Sequence, residues 1–226
     1  GAYLHISNNA PALFAAEARR ALARFGSTSP SYLILESLDA ANRELAGDFP
    51  ARLADMAERT SALRQRLSAY GFAVIGDEPM KLTVAAKPWG YTGTGLASAL
   101  ESTGVVCEFA DPDLLVVMFA SATGAAGLSR FETALTGIPR RQPLTDAPPH
   151  PGMPRVAMRI RDAIMSPREE LSVSAAEGRI IADVCVGCPP AVPIAVSGEI
   201  IDKNAVRCFE YYGIESCTVI KETGSR

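Results

Sequence analysis

Phe72-Ala-Val-Ile75, Lys81-Leu-Thr-Val-Ala85, Val105-Val-Cys-Glu-Phe109 and Leu114-Leu-Val-Val-Met-Phe119 are short apolar runs rich in valine. Their composition and length predict β-strands, and the Asp111-Pro112-Asp113 turn joins the last two. Between the second and third runs the period changes. Thr92 or Thr94 can cap a helix through Leu96 and Leu100, closed by Gly104, and a further helix is expected over Gly124 to Leu135. Strands alternating with helices in this way predict an α/β sandwich, a sheet with helices on one face.

Upstream of this stretch the pattern is helical. Tyr3-Leu-His-Ile-Ser7 reads as a short apolar strand; Leu13, Phe14, Ala18, Leu22 and Phe25 then form one helical stripe, stopped by Gly26. Ser29-Pro30 predicts a second helix, with a hydroxyl at the N-cap and proline at the first helical position. Leu45, Phe49, Leu53, Met56, Leu63, Leu67 and Tyr70 predict a third, ending at Gly71. Downstream, residues 139–154 hold five prolines from Pro143 to Pro154 and no periodicity, the mark of a linker or crossing loop. Beyond it short helices are expected at Val156 to Ile164, Ser174 to Gly178 and Asn204 to Tyr212, with strands at Ile180 to Val184 and Cys217 to Ile220. The fold class is therefore α/β (α+β): a helical segment 1–71, a small α/β sandwich 72–138, a proline-rich linker 139–154 and a C-terminal subdomain 155–226.

The 226 residues are 48% hydrophobic and 21% charged, ordinary for a globular chain able to bury a core. Twenty-two Lys+Arg against 25 Asp+Glu give a net charge of −3, so no basic excess recommends nucleic acid. No apolar run approaches the ~20 residues of a membrane span, and no signal peptide is visible, so a cytoplasmic protein without membrane contact is expected. Five cysteines do not read as a disulfide framework. Cys185-Val-Gly-Cys188 has the spacing of half a zinc site but lacks a second ligand pair nearby, and no metal is expected.

Several motifs could carry chemistry. Ser27-Thr28-Ser29-Pro30-Ser31 gathers hydroxyls at a helix start, where free N–H groups and the dipole favour an anion; capping alone is the plainer reading. Gly90-Tyr-Thr-Gly93-Thr-Gly95 resembles a phosphate loop but matches neither G-x-G-x-x-G nor a Walker sequence, which favours a flexible strand-to-helix turn. His5 reads as a packed residue and Trp89 as loop packing. Arg155, Arg159, Arg161, Arg168 and Arg179 could hold an anion or simply be solvated. Glu199 follows a rigid proline loop, as an N-cap or as the partner of a cationic substrate.

The order of segments says more. Ser27-Thr-Ser-Pro-Ser-Tyr-Leu-Ile-Leu-Glu-Ser-Leu-Asp-Ala-Ala-Asn42 resembles the segment after the catalytic lysine of the bacterial ornithine/lysine/arginine decarboxylases. Lys81-Leu-Thr83, Gly90-Tyr-Thr-Gly93, Glu108-Phe-Ala-Asp-Pro112, Glu177-Gly-Arg-Ile180, Cys188-Pro-Pro-Ala-Val-Pro193 and Gly198-Glu199 follow in the family's order. These are pyridoxal-phosphate enzymes of the aspartate-aminotransferase fold (fold type I). The resemblance implies a C-terminal part of such an enzyme, cut just downstream of the Schiff-base lysine, which would lie upstream of Gly1. None of Lys81, Lys87, Lys203 and Lys221 lies in the family's Ser-x-His-Lys context.

By that resemblance Thr28 and Ser29 lie near the cofactor phosphate, in their own or a neighbouring subunit's site, and Glu199 meets the distal cation of a basic amino acid. No catalytic residue is expected in this chain. The implied partners are an upstream pyridoxal-phosphate domain, a basic amino-acid substrate and a second copy in a homodimer or larger homo-oligomer. The chain alone should not decarboxylate. Where the family often has Pro-Pro-Gly-Ile-Pro, this chain has Pro189-Pro-Ala-Val-Pro193, a local departure in the loop before Glu199. The alternative is a stand-alone, non-catalytic α/β module for binding or oligomerisation.

Overall fold

The computed structural model describes residues 2–184 and 192–222. The chain divides into two compact units, residues 1–56 and 57–226.

The first unit carries α1 (Ala12–Phe25), α2 (Tyr32–Ala46) and the start of α3 (Phe49–Tyr70). No strand forms at Tyr3–Ser7; instead the Tyr3 hydroxyl donates to the Leu38 carbonyl (3.0 Å) and accepts from Asn42 (2.8 Å), tying the segment to α2. A lone apolar run with no neighbouring strand has nothing to complete its ladder. Neither α1 nor α2 buries a single residue: Phe25 is 89% exposed and Tyr32 85%. The stripes read from the sequence are real, but in this chain they lack a covering surface.

The second unit contains the sheet. β1 (Ala73–Ile75), β2 (Lys81–Ala85), β3 (Phe109–Ala110) and β4 (Leu114–Met118) pair antiparallel in the order β1-β2-β4-β3. Leu82 faces Val117 across the ladder and Val84 faces Leu115; all four are buried, which fixes the register, because a one-residue slip would expose them. α4 (Gly93–Glu101) packs on β3 and β4, and α5 (Gly124–Thr136) follows β4. Leu63 and Leu67 of α3, Leu96 and Leu100 of α4, and Leu128, Phe131 and Leu135 of α5 are buried in the core.

β3 is much shorter than the run Val105–Phe109 predicts. Gly104 adopts φ +80°, and the Val105 N–H closes α4 by bonding the Leu100 carbonyl at 3.2 Å, so the first residue of the run is consumed as a helix stop.

The C-terminal subdomain has a second sheet, β5 (Arg168–Ser172) antiparallel to β6 (Ser216–Ile220), with α6 (Ile160–Met165) before it and α7 (Lys203–Tyr211) between. Its core is Val173, Ala176, Ile181, Ala195, Ile201, Ala205, Phe209, Cys217 and Val219.

Three expectations change here. Val156–Met158 is extended rather than helical, because Ala157 and Met158 donate to the Gly198 carbonyl and Arg155 accepts from Ile200. Ser174–Gly178 is a single 3₁₀ turn, Val173–Ala175, before Gly178 at φ +83°. The strand expected at Ile180–Val184 contributes only isolated bridges, Ile180 to Ile200 and Ile181 to Val219. Residues 139–154 contain no helix or strand, as their prolines dictate.

Candidate functional site

The hydroxyl cluster before α2 is exposed. The N-cap is Ser31, two residues later than Ser29-Pro30 suggests, and its side chain makes no capping bond. Ser27 Oγ instead accepts the Ser29 N–H (3.2 Å) and donates to the Ser29 carbonyl (3.3 Å), a local turn that leaves Thr28 and Ser29 presenting their side chains to solvent. The plain capping reading of Ser29 therefore fails: no side-chain oxygen caps this helix.

The glycine-rich stretch at α4 is the reverse case. Thr92 Oγ1 accepts the Gly95 N–H (3.0 Å), the Thr94 N–H goes to the Asp111 carbonyl (3.0 Å) and the Gly93 N–H to the Pro112 carbonyl (3.4 Å). The first-turn donors that would greet a phosphate are spent inside the chain. Asp111 Oδ1 in turn accepts from the backbone of Asp113 and Leu114, which holds the Asp111-Pro112-Asp113 turn in place. A side chain at Gly93 would place Cβ 2.0 Å from the Leu114 carbonyl oxygen, and one at Gly90, where φ is +91°, would meet Arg141 at 2.6 Å. Both glycines therefore serve close packing of backbone on backbone.

Glu199 is half-buried behind Gly198, which has φ +93° and whose would-be Cβ lies 2.4 Å from the Met158 carbonyl oxygen. Glu199 Oε2 accepts the Val196 N–H at 2.7 Å, and its backbone bridges Val156 and Ile181. The carboxylate caps its own turn and retains a second oxygen. Thr28 and Ser29 belong to the first unit and Glu199 to the second. Cys185–Ala191, and with them the Cys-x-x-Cys pair and most of the proline loop, lie outside the described residues. Among the described residues no group of three or more His, Cys, Asp or Glu is placed to hold a metal, and no helix is long and apolar enough to cross a membrane.

His5 is exposed rather than packed, its ring 6.0 Å from that of Tyr3 between centroids. Trp89 packs as expected, 4.1 Å from the Phe72 ring and with its N–H on the Ile138 carbonyl (3.1 Å). The arginine set does not converge: Arg168 pairs with Asp183, while Arg179 takes Glu169 (2.7 Å) and Glu222 (3.2 Å).

One cluster escaped sequence reasoning. Lys87, 7% exposed, holds Asp113 (2.8 Å), the Asp146 side chain (2.6 Å) and carbonyl (2.8 Å), and the Tyr211 hydroxyl, which donates to Asp113 at 2.8 Å. Burial pulls the Lys87 ammonium down, but bonds to Asp113, Asp146 and Tyr211 more than offset it, so its pKa lies above that of an ordinary lysine. The bond to Lys87 likewise lowers the Asp146 carboxyl. The partners stand 26, 59 and 124 positions from Lys87, a separation that no local pattern reveals.

No family model matches the chain. It is 29% identical over 204 residues to arginine decarboxylase of Bacillus subtilis, covering 82% of this chain and 42% of that protein. It is 29% identical over 198 residues to arginine decarboxylase of Halalkalibacterium halodurans, covering 78% and 40%. The fold is that of part of the Escherichia coli constitutive lysine decarboxylase (TM-score 0.64, 18% identity, 89% of this chain and 45% of that one) and of the Francisella novicida lysine decarboxylase LdcF (TM-score 0.62, 15% identity, 88% and 42%). The chain thus spans less than half the length of these proteins, and over most of its own length it is a distant relative of the arginine decarboxylases.

Proposed function

We propose that this chain is the C-terminal portion of a pyridoxal-phosphate-dependent decarboxylase of basic amino acids, which converts lysine, ornithine or arginine to the amine and CO2 when joined to an upstream cofactor domain. The observation that carries the reading is the 29% identity to an arginine decarboxylase sustained over 82% of the chain. The family motifs occupy defined structural roles, which supports it: Gly90 and Gly93 in the α4 packing, Asp111 in the turn, Gly198 beneath Glu199.

The residues present fit one end of the cofactor and not the other. Thr28 and Ser29 offer exposed hydroxyls before a helix N-terminus that no side chain caps, a suitable seat for a phosphate. No lysine suits the aldehyde end: Lys81 pairs with Glu78 (2.9 Å), Lys87 is held protonated between two carboxylates, and Lys203 and Lys221 stand exposed without a built site. In the proposed enzyme the reactive lysine comes from the upstream domain. When bound, the cofactor supplies the electron sink for loss of CO2. Glu199 is the carboxylate for the distal ammonium or guanidinium, its Oε2 fixed by Val196 and its Oε1 available to the cation. The uncovered stripes of α1 and α2 are surfaces for the upstream domain and a second copy, and the cytoplasm is the compartment that such an enzyme implies.

The test joins the chain to its upstream coding region, adds pyridoxal phosphate, and measures the cofactor absorption band and CO2 release from lysine, ornithine and arginine. The band with release from one of them is expected. Glu199→Gln, which keeps an acceptor for Val196, should weaken binding of that substrate by about 10- to 100-fold, the worth of a charge-assisted bond, and leave the band intact. Thr28→Val with Ser29→Ala should lower cofactor affinity. No band and no CO2 from any substrate would sink the reading in favour of a non-catalytic module.

A further inference from the structure

The four groups of the Lys87 cluster come from four places: the 3₁₀ turn Lys87–Trp89 after β2, the turn before β4 (Asp113), the crossing segment 139–154 (Asp146) and the last turn of α7 (Tyr211). Around them the backbone is stitched the same way. Leu144 donates to the Lys87 carbonyl (3.0 Å), Arg141 to the Trp89 carbonyl (3.0 Å) and Ala86 to the Asp113 carbonyl (2.9 Å). Further along the segment, the Pro149 carbonyl accepts the buried thiol of Cys208 on α7 at 3.4 Å. Among the described residues the apolar core of the C-terminal subdomain draws on positions 171–219 and includes nothing from the first sheet. A charged, hydrogen-bonded group therefore holds parts whose apolar cores are separate.

We propose that Lys87 is the pin of a latch that fastens the crossing segment and α7 to the four-stranded sheet, so that the C-terminal subdomain opens from the sheet when the pin is withdrawn. The chemistry suits a pin. Lysine has three donors and no acceptor, and here they meet two carboxylates, a carbonyl and a phenol, while the ammonium also lies 5.0 Å from the Tyr211 ring centre. Removing it leaves the Asp113 and Asp146 carboxylates with only the Tyr211 hydroxyl of this cluster between them, one donor for two like charges. The latch also sets the Glu199 turn mechanically, because the segment that Asp146 seats runs on into Arg155 and Val156, which bond Ile200 and bridge Glu199. The proposal stands whether or not the protein is a decarboxylase.

Hydrogen exchange read peptide by peptide, with alkylation of Cys208 followed by mass spectrometry, tests the latch on the full chain. Asp146→Asn should speed exchange in residues 142–150 about tenfold, with Cys208 alkylation changing less. Tyr211→Phe should speed Cys208 alkylation about tenfold and change the segment less. Lys87→Met should do both, while the amides of Leu82, Val84, Leu115 and Val117 in the sheet keep their protection. If Lys87→Met does not fold, the two milder variants decide the matter, since each leaves Lys87 its other partners. Exchange and alkylation unchanged in all variants, or rising equally across the sheet, would overturn the proposal.

Discussion

Replacing Gly93 by alanine adds one methyl group at the first position of α4, and the structure gives it nowhere to go. The new Cβ would lie 2.0 Å from the Leu114 carbonyl oxygen and 2.5 Å from that of Asp111, both backbone atoms of the β3–β4 hairpin. No rotamer relieves this; α4 must move off the turn. Overpacking costs about 1–3 kcal/mol, and losing the bonds from Gly93 and Thr94 to the hairpin adds about 1 kcal/mol each. Alanine's smaller unfolded-state entropy returns about 0.5–1 kcal/mol. The net loss is about 2–4 kcal/mol, a fall in Tm of roughly 5–15 °C for a domain of this size. Gly95→Ala is the control. Its Cβ would meet only the Thr92 side-chain oxygen at 3.1 Å, so a loss of about 1 kcal/mol or less is expected. Urea unfolding followed by the fluorescence of Trp89, the single tryptophan, reports both, since that ring is buried against Phe72 in the same unit. Equal stability of the two variants, or Gly93→Ala within about 0.5 kcal/mol of the parent, would refute the packing account.

Other outcomes follow from the same structure. Arg66 grips Glu132 with two bonds of 2.7 and 2.8 Å, and that bond holds the Glu132 carboxyl below its ordinary value. Its contribution, about 1 kcal/mol at most for so exposed a pair, is fully present above pH 4.5 and lost as pH falls through the lower folded value. Glu132→Gln should thus trail the parent in thermal stability at pH 7, and the two melting curves should converge in acid. Gly198→Ala, with φ +93° and Met158 in its path, should cost about 3 kcal/mol and raise exchange at Val156–Met158, measured by mass spectrometry. Phe72→Ala should shift Trp89 emission to the red and destabilise by about 3–5 kcal/mol, both read in one titration.

The elements legible in the sequence are those whose own residues supply the signal. α1, β2 and β4 fall where apolar spacing puts them, and α3 does so from Phe49 on, Leu45 belonging to α2 instead, because burial or amphipathicity repeats at the right period. β5 is the counterexample. Arg168-Glu-Glu-Leu-Ser172 has one apolar residue and became a strand only because β6 lies beside it, with Leu171 opposite Cys217. Val105 and Val156 failed in the opposite sense: each has strand or helix propensity, yet its neighbourhood was claimed by a helix stop in one case and by the Gly198 turn in the other. Of the candidate functional residues, Thr28 and Ser29 in the first unit and Glu199 in the second were visible as residue types beside turn signals, whereas the Lys87 cluster was not. Its members are joined by the fold alone.

The helix N-termini of α2 and α4 both follow hydroxyl-rich sequences, and they differ in which of their N–H groups are already bonded within the chain. At α4, Thr92 provides the cap and the hairpin carbonyls of Asp111 and Pro112 take the next donors, so a phosphate would have to displace three bonds already made. At α2 no side chain caps the helix, and Ser27 has turned inward to bond Ser29 rather than the helix. The glycine-rich motif that looks like a phosphate loop is therefore a packing device, and the plainer Ser-Thr-Ser-Pro-Ser turn is the one where we propose the cofactor phosphate. Sequence similarity to a phosphate loop speaks for the backbone's ability to curve; only the destination of each N–H says whether that curve is free to bind.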